Sequence, residues 1–267
     1  MSSSPAAAEL LAAVEQSPAL VAAHDRRRWC DLYASDGEVN DPVGSRPHQG
    51  RAAIERFYDT FIAPNRIVFR VEHNAVCGMS VMRDLTIETT MPTGVVLNVP
   101  MHLRYDLVEE GGALKIRRLY AHWELPFMIA QLLATGPRGW WTSLKLGPQL
   151  LANQGLGGLM GFMRGFIGVG AGGRRRARAL LDAFSRGDAV AAARQLDPGA
   201  ALERPAGQPL APVDFIAALR GLRWRKMIAA GRTVTATIEY GVGQNARRGV
   251  ILFEFGSRRV SRVQIYA

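Results

Sequence analysis

Residues 94–108 read GVVLNVPMHLRYDLV. Val95, Leu97, Val99, Met101, Leu103, Tyr105 and Leu107 alternate with Val96, Asn98, Pro100, His102, Arg104 and Asp106. A period of two puts the apolar set on one face of a strand. Similar strand-like runs flank it: RIVFRVEHNAV (66–76), SVMRDLTIETTM (80–91) and LKIRRLYAHWEL (114–125). Before them come helical segments. AELLAAVEQSPALVAAHDRRRWCDLYA (8–34) reads as two helices meeting near Ser17-Pro18, because proline suits a helix's first turn better than its interior. RAAIERFYDTFI (51–62) is a third. Helices followed by antiparallel strands predict an α+β unit over 1–123, a curved sheet wrapped over helices with an apolar pocket between them.

The chain has 267 residues, 48% of them hydrophobic and 21% charged, the balance of a globular protein. Its two cysteines, Cys30 and Cys77, give neither zinc spacing nor a disulfide scaffold, which fits a reducing, cytoplasmic setting. The N-terminal stretch lacks a basic region before its apolar part and so does not read as a secretory signal. The net charge of +10 is unevenly spread. Residues 1–123 hold 13 Lys/Arg against 15 Asp/Glu, a net of −2, and residues 124–267 hold 20 against 8, a net of +12. Basicity therefore says nothing about the first unit.

The segment EVNDPVGSRPHQGRAAIERFY (38–58), with Asp41, Pro42, Gly44, Gly50, Phe57 and Tyr58, resembles the ketosteroid isomerase branch of the nuclear-transport-factor-2-like (SnoaL-like) superfamily. HDRRRWCDLYASD (24–36), MHLRYDL (101–107) and LYAHWEL (119–125) resemble its other elements more loosely. The resemblance covers about 120 residues and implies a cone-shaped fold with Asp41 as catalytic base and Tyr58 as a donor. It implies a pocket containing Ser17, Val99, Met101, Tyr120 and Trp123. A double bond moves beside a ketone when one carboxylate takes a proton from carbon and returns it elsewhere, while donors hold the intermediate's oxygen in a dry site. The resemblance implies such an architecture, an Asp base with a Tyr and a protonated Asp as donors. In this chain Ser17 and Met101 stand where the family's two donors fall, and methionine donates nothing. His122, Tyr120, Asn98 and Trp123 are substitutes to weigh.

The implied reaction, isomerisation of a steroid or similar apolar ketone, needs no cofactor and no metal. Two alternatives stand beside it: a non-catalytic carrier of an apolar ligand, and a polyketide-cyclase-type enzyme using the same acid. Plainer roles exist for each residue. An Asp-Pro pair commonly forms a turn or cap, Tyr58 and Cys30 suit a core, and Met101 and Trp123 suit a pocket wall. His24, His48 and His102 do not share metal-ligand spacing.

Residues 124–172 hold four charges, Glu124, Arg138, Lys145 and Arg164, among eleven glycines. They read as an apolar insertion of short helices, uncharged from Leu146 to Met163 but broken by Pro148 and glycines. Gly157, Gly161 and Gly165 recur every four residues, which permits close packing. Arg174, Arg175, Arg176 and Arg178 follow. Two roles fit 126–178: packing against protein, or contact with an anionic membrane surface, which would make the protein peripheral there. Nucleic acid is not indicated, since the cluster has no interleaved aromatic platform.

Residues 173–267 repeat the first unit. LERPAGQP (202–209) lies over VNDPVGSRP (39–47), setting Arg204 where Asp41 stands. WRKMIAAG, TVTATIEYG, GVILFEFG and RVSRVQIYA supply strands. The expected organisation is two tandem cones, 1–123 and a degenerate 173–267, joined by 124–172. Cones of this type pair through their sheets, within one chain or as a homodimer.

Overall fold

The structure, a computed structural model, describes residues 5–241 and 246–267, with side chains except at 145–147 and 149–154. The expectations resting on residues 1–4 and on the Lys145 side chain lie outside the described residues. The first unit contains α1 (Ala7–Ala22), α2 (Arg26–Asp31), β1 (Tyr33–Asn40), β2 (His48–Gln49), α3 (Arg51–Phe57) and a π-helical turn (Tyr58–Ile62). There follow β3 (Arg66–Cys77), β4 (Ser80–Thr90), β5 (Val96–Glu110) and β6 (Ala113–His122). Its sheet runs β2-β1-β6-β5-β4-β3, antiparallel except for the β1–β6 pair. Every member of the alternating set from Val95 to Leu107 is buried in one core with α1 and α3.

Two local expectations need correcting. Pro18 does not divide the first helix; it lies inside α1. Buried Leu10, Val14 and Ser17 before it and Leu20 and Val21 after it hold the helix on the sheet, and this packing outweighs the ~3 kcal/mol that an interior proline costs. The break comes at His24, which adopts φ 52°, and Asp25 caps α2 by accepting a bond from Arg28 N at 3.0 Å. Tyr33 and Ala34, read as the end of a helix, instead open a strand, Tyr33–Asn40, which has a bulge between Tyr33 and Glu38 and pairs with β6.

The insertion forms α4 (Leu125–Ala134) and α5 (Pro137–Met163), the latter kinked at Gly155, where φ is 67°. Its small-residue face packs on the loop after β1 and, at Gly165, also on Leu125 at the start of α4. A Cβ at Gly161 would stand 2.7 Å from Arg46 Cβ, and one at Gly165 would stand 3.0 Å from Pro42 Cγ. Trp140 and Trp141, on α5, are 61% and 56% exposed. No helix among the described residues is long and apolar enough to cross a membrane.

The second unit repeats the order: α6 (Gly170–Arg186), α7 (Ala189–Ala193), β7 (Leu196–Glu203), α8 (Pro212–Ala218), β8 (Arg223–Ala230), β9 (Thr233–Tyr240), β10 (Arg247–Phe255) and β11 (Val260–Tyr266). Its sheet runs β7-β11-β10-β9-β8, with β7 parallel to β11 as β1 is to β6. Arg204 directly follows β7 as Asp41 follows β1, and both Asp41-Pro42 and Arg204-Pro205 are cis. The Arg204 guanidinium lies over the Tyr240 ring, 5.3 Å from its centroid.

The two sheets meet face to face. Ala75, Cys77 and Met82 pack against Val250, Leu252 and Tyr266. Beside this patch the first unit supplies the acids and the second the bases. Asp84, fully buried, pairs with Lys226 Nζ at 2.7 Å and Arg248 at 3.1 Å, and accepts a bond from Thr237 Oγ1 at 2.9 Å. Glu72 pairs with Arg225 at 3.1 Å, with Arg248 at 3.2 Å and with Lys226. The neighbouring His102 ring meets Thr235 Oγ1 at 2.7 Å and Thr237 Oγ1 at 3.1 Å. Part of the second unit's positive charge therefore neutralises the first. The sheet face that two copies of a cone could share is occupied within the chain.

Candidate active site

The loop after β1 is pinned from several sides. Asn40 Nδ2 donates to Ser45 O at 3.1 Å, and Ser45 Oγ donates to Pro42 O at 2.7 Å. Val43 N donates to Ala121 O at 2.9 Å and Arg46 N to Gly161 O at 3.0 Å. The second unit closes the last side: a Cβ on Gly44, at φ 101°, would stand 2.6 Å from Gly231 Cα in the β8–β9 turn. A loop so held presents its first side chain, Asp41, in one direction.

Asp41 faces a cavity of about 340 Å³ in the first cone. Of the pocket residues expected from sequence, Ser17, Val99, Met101 and Trp123 line the same cavity. Trp123 Nε1 donates to Asp41 Oδ1 at 2.5 Å. Burial raises the Asp41 pKa, the indole partly opposes it, and the result is about 6. The carboxylate loses water, gains one hydrogen bond, and so holds a proton more readily than a surface aspartate. Ser17 Oγ accepts from Trp29 Nε1 at 3.1 Å.

Tyr58 and Tyr120 do not line the cavity. In the helical turns after Gly50, Phe57, Thr60 and Phe61 face it, whereas the Tyr58 ring packs on Trp29, 5.4 Å away, with its hydroxyl buried and unpartnered among the described residues. Tyr120 sits on the opposite sheet face, where the Arg104 guanidinium lies 4.1 Å over its ring. His122 is on the domain interface, its Nδ1 3.1 Å from Thr233 Oγ1. Asn98 is exposed on the outer face, its backbone bound by Gln131 of α4. None of these four lines the cavity.

Tyr105 is not singled out by sequence, where it counts as one more apolar residue of the stripe. It is the only phenol among the described lining residues. Burial raises its pKa; the Arg83 guanidinium and a hydrogen bond with Ser17 pull the other way, and the Asp41 charge adds to the rise. The strand alternation carries the signal: Tyr105 shares its face with Val99 and Met101, so its hydroxyl belongs to the cavity side.

The insertion roofs the cavity. Met128, Thr142 and Phe162 line it. Thr142 Oγ1 meets Thr93 Oγ1 at 2.6 Å, and Phe162 stacks on Phe61 with centroids 5.5 Å apart. An apolar, roofed site with one carboxylate and one phenol can move protons on carbon and exclude water.

A family model described as the SnoaL-like domain matches residues 14–119. The Δ5-3-ketosteroid isomerase from a Mycobacterium species is 31% identical, over 44% of this chain and 95% of that one, with a TM-score of 0.41. A Mycobacterium tuberculosis protein solved with estradiol-17β-hemisuccinate is 27% identical, over 44% and 95%, with a TM-score of 0.41. SalBIII, an epoxide hydrolase/cyclase-like enzyme of pyran ring formation in salinomycin, is 20% identical, over 45% and 93%, with a TM-score of 0.41. Comparison with curated proteins finds no match. These matches each span less than half of the chain, and through residues 14–119 the chain belongs to the SnoaL-like family.

Proposed function

We propose that the first cone moves a carbon–carbon double bond beside the carbonyl of a steroid or similar apolar ketone. The observation that carries this reading is Asp41: a carboxylate on an apolar cavity wall, held by one indole N–H, with a pKa near 6. Ionised Asp41 takes a proton from the carbon next to the carbonyl, the electron pair moves into a dienolate, and the same carboxyl returns the proton to a further carbon. Tyr105 donates to the dienolate oxygen. The relative with 31% identity is named as an enzyme of this chemistry, which adds support.

The test is conversion of a β,γ-unsaturated 3-ketosteroid to its conjugated isomer, followed by the rise in enone absorbance. Absence of turnover despite binding turns the reading to its second form, a carrier of apolar ligands. That form has its own support: Met101 in place of a donor, and a Ser17 hydroxyl already engaged by Trp29. Cyclisation of a polyketide by the same acid is a third outcome, detected as a ring-closed product.

Two results are expected from the isomerase form. The value of kcat/KM rises with pH up to about 6 and is flat above it, because the base works only when ionised. A profile without a break between pH 5 and 7 removes Asp41 as the base. Tyr105→Phe lowers kcat by roughly 10²–10³, the usual cost of one oxyanion donor, with KM little changed. A variant within threefold of wild type assigns the donor elsewhere.

For the partner surface, we propose an anionic membrane. Phe127, Trp140, Leu144, Leu156, Met160, Met163, Phe166 and Ile167 are exposed on or just after the insertion, and Arg138, Arg164 and Arg175 have no acidic partner among the described residues. Exposed aromatics beside cations suit a lipid interface. Flotation with phosphatidylserine-containing vesicles is expected to carry the protein at low salt and lose it at high salt; no flotation at low salt refutes the surface.

A further inference from the structure

Beside the apolar cavity lies a second hollow of about 350 Å³, between the loop after β1, α3 and α5. Its polar walls are Arg46, His48, Gln49 and Arg56, and it shares Phe61 and Phe162 with the cavity. No carboxylate lines it among the described residues. The Arg46 guanidinium therefore makes this wall electropositive.

Arg46 is placed there by the helix above it. Its backbone N donates to Gly161 O at 3.0 Å, and its stem lies along the Gly161 surface. Its Nη1 sits 3.9 Å from where a Cβ on Gly157 would stand. A larger residue at Gly161 would collide with this stem, so the small-residue face of α5 works as a groove for the arginine. Arg46 has no acidic partner among the described residues. His48, set between the two arginines, registers the field: burial and then Arg56 and Arg46 hold its pKa down to about 4, so it is neutral and adds no competing charge.

We infer that this hollow receives the anionic group, a carboxylate or a phosphate, of a ligand whose apolar body fills the cavity beyond Phe61 and Phe162. The inference rests on the cavity holding an apolar ligand and adds that the natural ligand is amphiphilic. Phe61 and Phe162, stacked at 5.5 Å, form the partition that the linking atoms must cross. Arginine suits the task because its planar fork binds carboxylate and phosphate oxygens in pairs, through charge-assisted bonds.

The experiment compares testosterone with testosterone 17-hemisuccinate by calorimetry on the full chain, with succinate and inorganic phosphate as free anions. The expected result is hemisuccinate binding at least about tenfold tighter than testosterone. In Arg46→Gln the two affinities become equal while that of testosterone is unchanged, which also reports an intact fold. Arg46→Lys keeps part of the gain. Equal affinities in the wild type, or a preference that survives Arg46→Gln, overturn the inference and leave the cavity reading standing. Failure of both steroids to bind brings down the cavity reading together with this one. Free succinate or phosphate binding as tightly as the hemisuccinate, without displacing it, shows an independent anion site and also overturns the single-ligand claim.

Discussion

Asp41→Asn is expected to lower isomerase turnover by roughly 10³–10⁴ and at the same time to stabilise the protein at pH 8. The amide cannot take a proton from carbon, but it still fits beside Trp123 Nε1 and its oxygen still accepts. The stability effect follows from linkage. The folded pKa of about 6 stands above the ordinary aspartate value of 3.8, so the folded state binds the proton more tightly. The contribution is fully present below about pH 4 and is lost as pH rises through 6, by about 3 kcal/mol at most. Asparagine, always neutral, escapes that loss. Denaturant unfolding of both proteins should therefore show the variant about 1–3 kcal/mol more stable at pH 8 and nearly equal at pH 4. A variant equally stable or weaker at pH 8 contradicts a desolvated carboxylate, whatever its activity.

Asp84→Ala is expected to be the most damaging single change at the domain interface, at about 3–5 kcal/mol. It strips the partner from Lys226 and Arg248 and leaves Thr237 Oγ1 without its acceptor. Burial works to raise the Asp84 carboxyl, but His102 and Lys226 outweigh it and hold the group well below the usual carboxylate range. Its contribution is therefore present above about pH 4 and is lost as the pH falls through the lowered folded value. The second unit should then loosen from the first. One calorimetric transition should become two, and amide exchange should rise on β4 and β9. Asp84→Asn, which keeps an acceptor and loses only charge, should cost less than the alanine. A loss below about 1 kcal/mol for Asp84→Ala makes the ion cluster incidental to the packing of the sheets.

The strands were legible because their pattern is local. The alternation from Val95 to Leu107 announces β5 and one face of its core, and the same stripe carries Met101 and Tyr105 to the cavity. β1 was not legible. Ser35, Asp36 and Gly37 interrupt its alternation, and its partner β6 lies far along the chain, so its pairing belongs to tertiary structure alone. The position of Asp41 followed from the residues around it, and Trp123 from its place just after β6. The donors failed for a geometric reason. Tyr58 and Tyr120 are chemically suitable, but a helical turn and a one-residue strand step point them away from the cavity. Tyr105 was hidden by its own hydrophobic ring. The roof was hidden too, because an apolar segment with many glycines looks the same whether it covers a pocket or meets a membrane.

The meeting of Gly44 and Gly231 ties the history of the two halves together. Each glycine occupies the space that a side chain on the other would need, and both have positive φ. Neither position is free to vary while its counterpart holds still. Among sequences that keep both halves, substitutions at these two places should therefore arrive as pairs, or be matched by a shortened β8–β9 turn. The second half carries Arg204, not an acid, after its own strand, and its β8–β9 turn is the mould against which the first half's Asp41 loop is set.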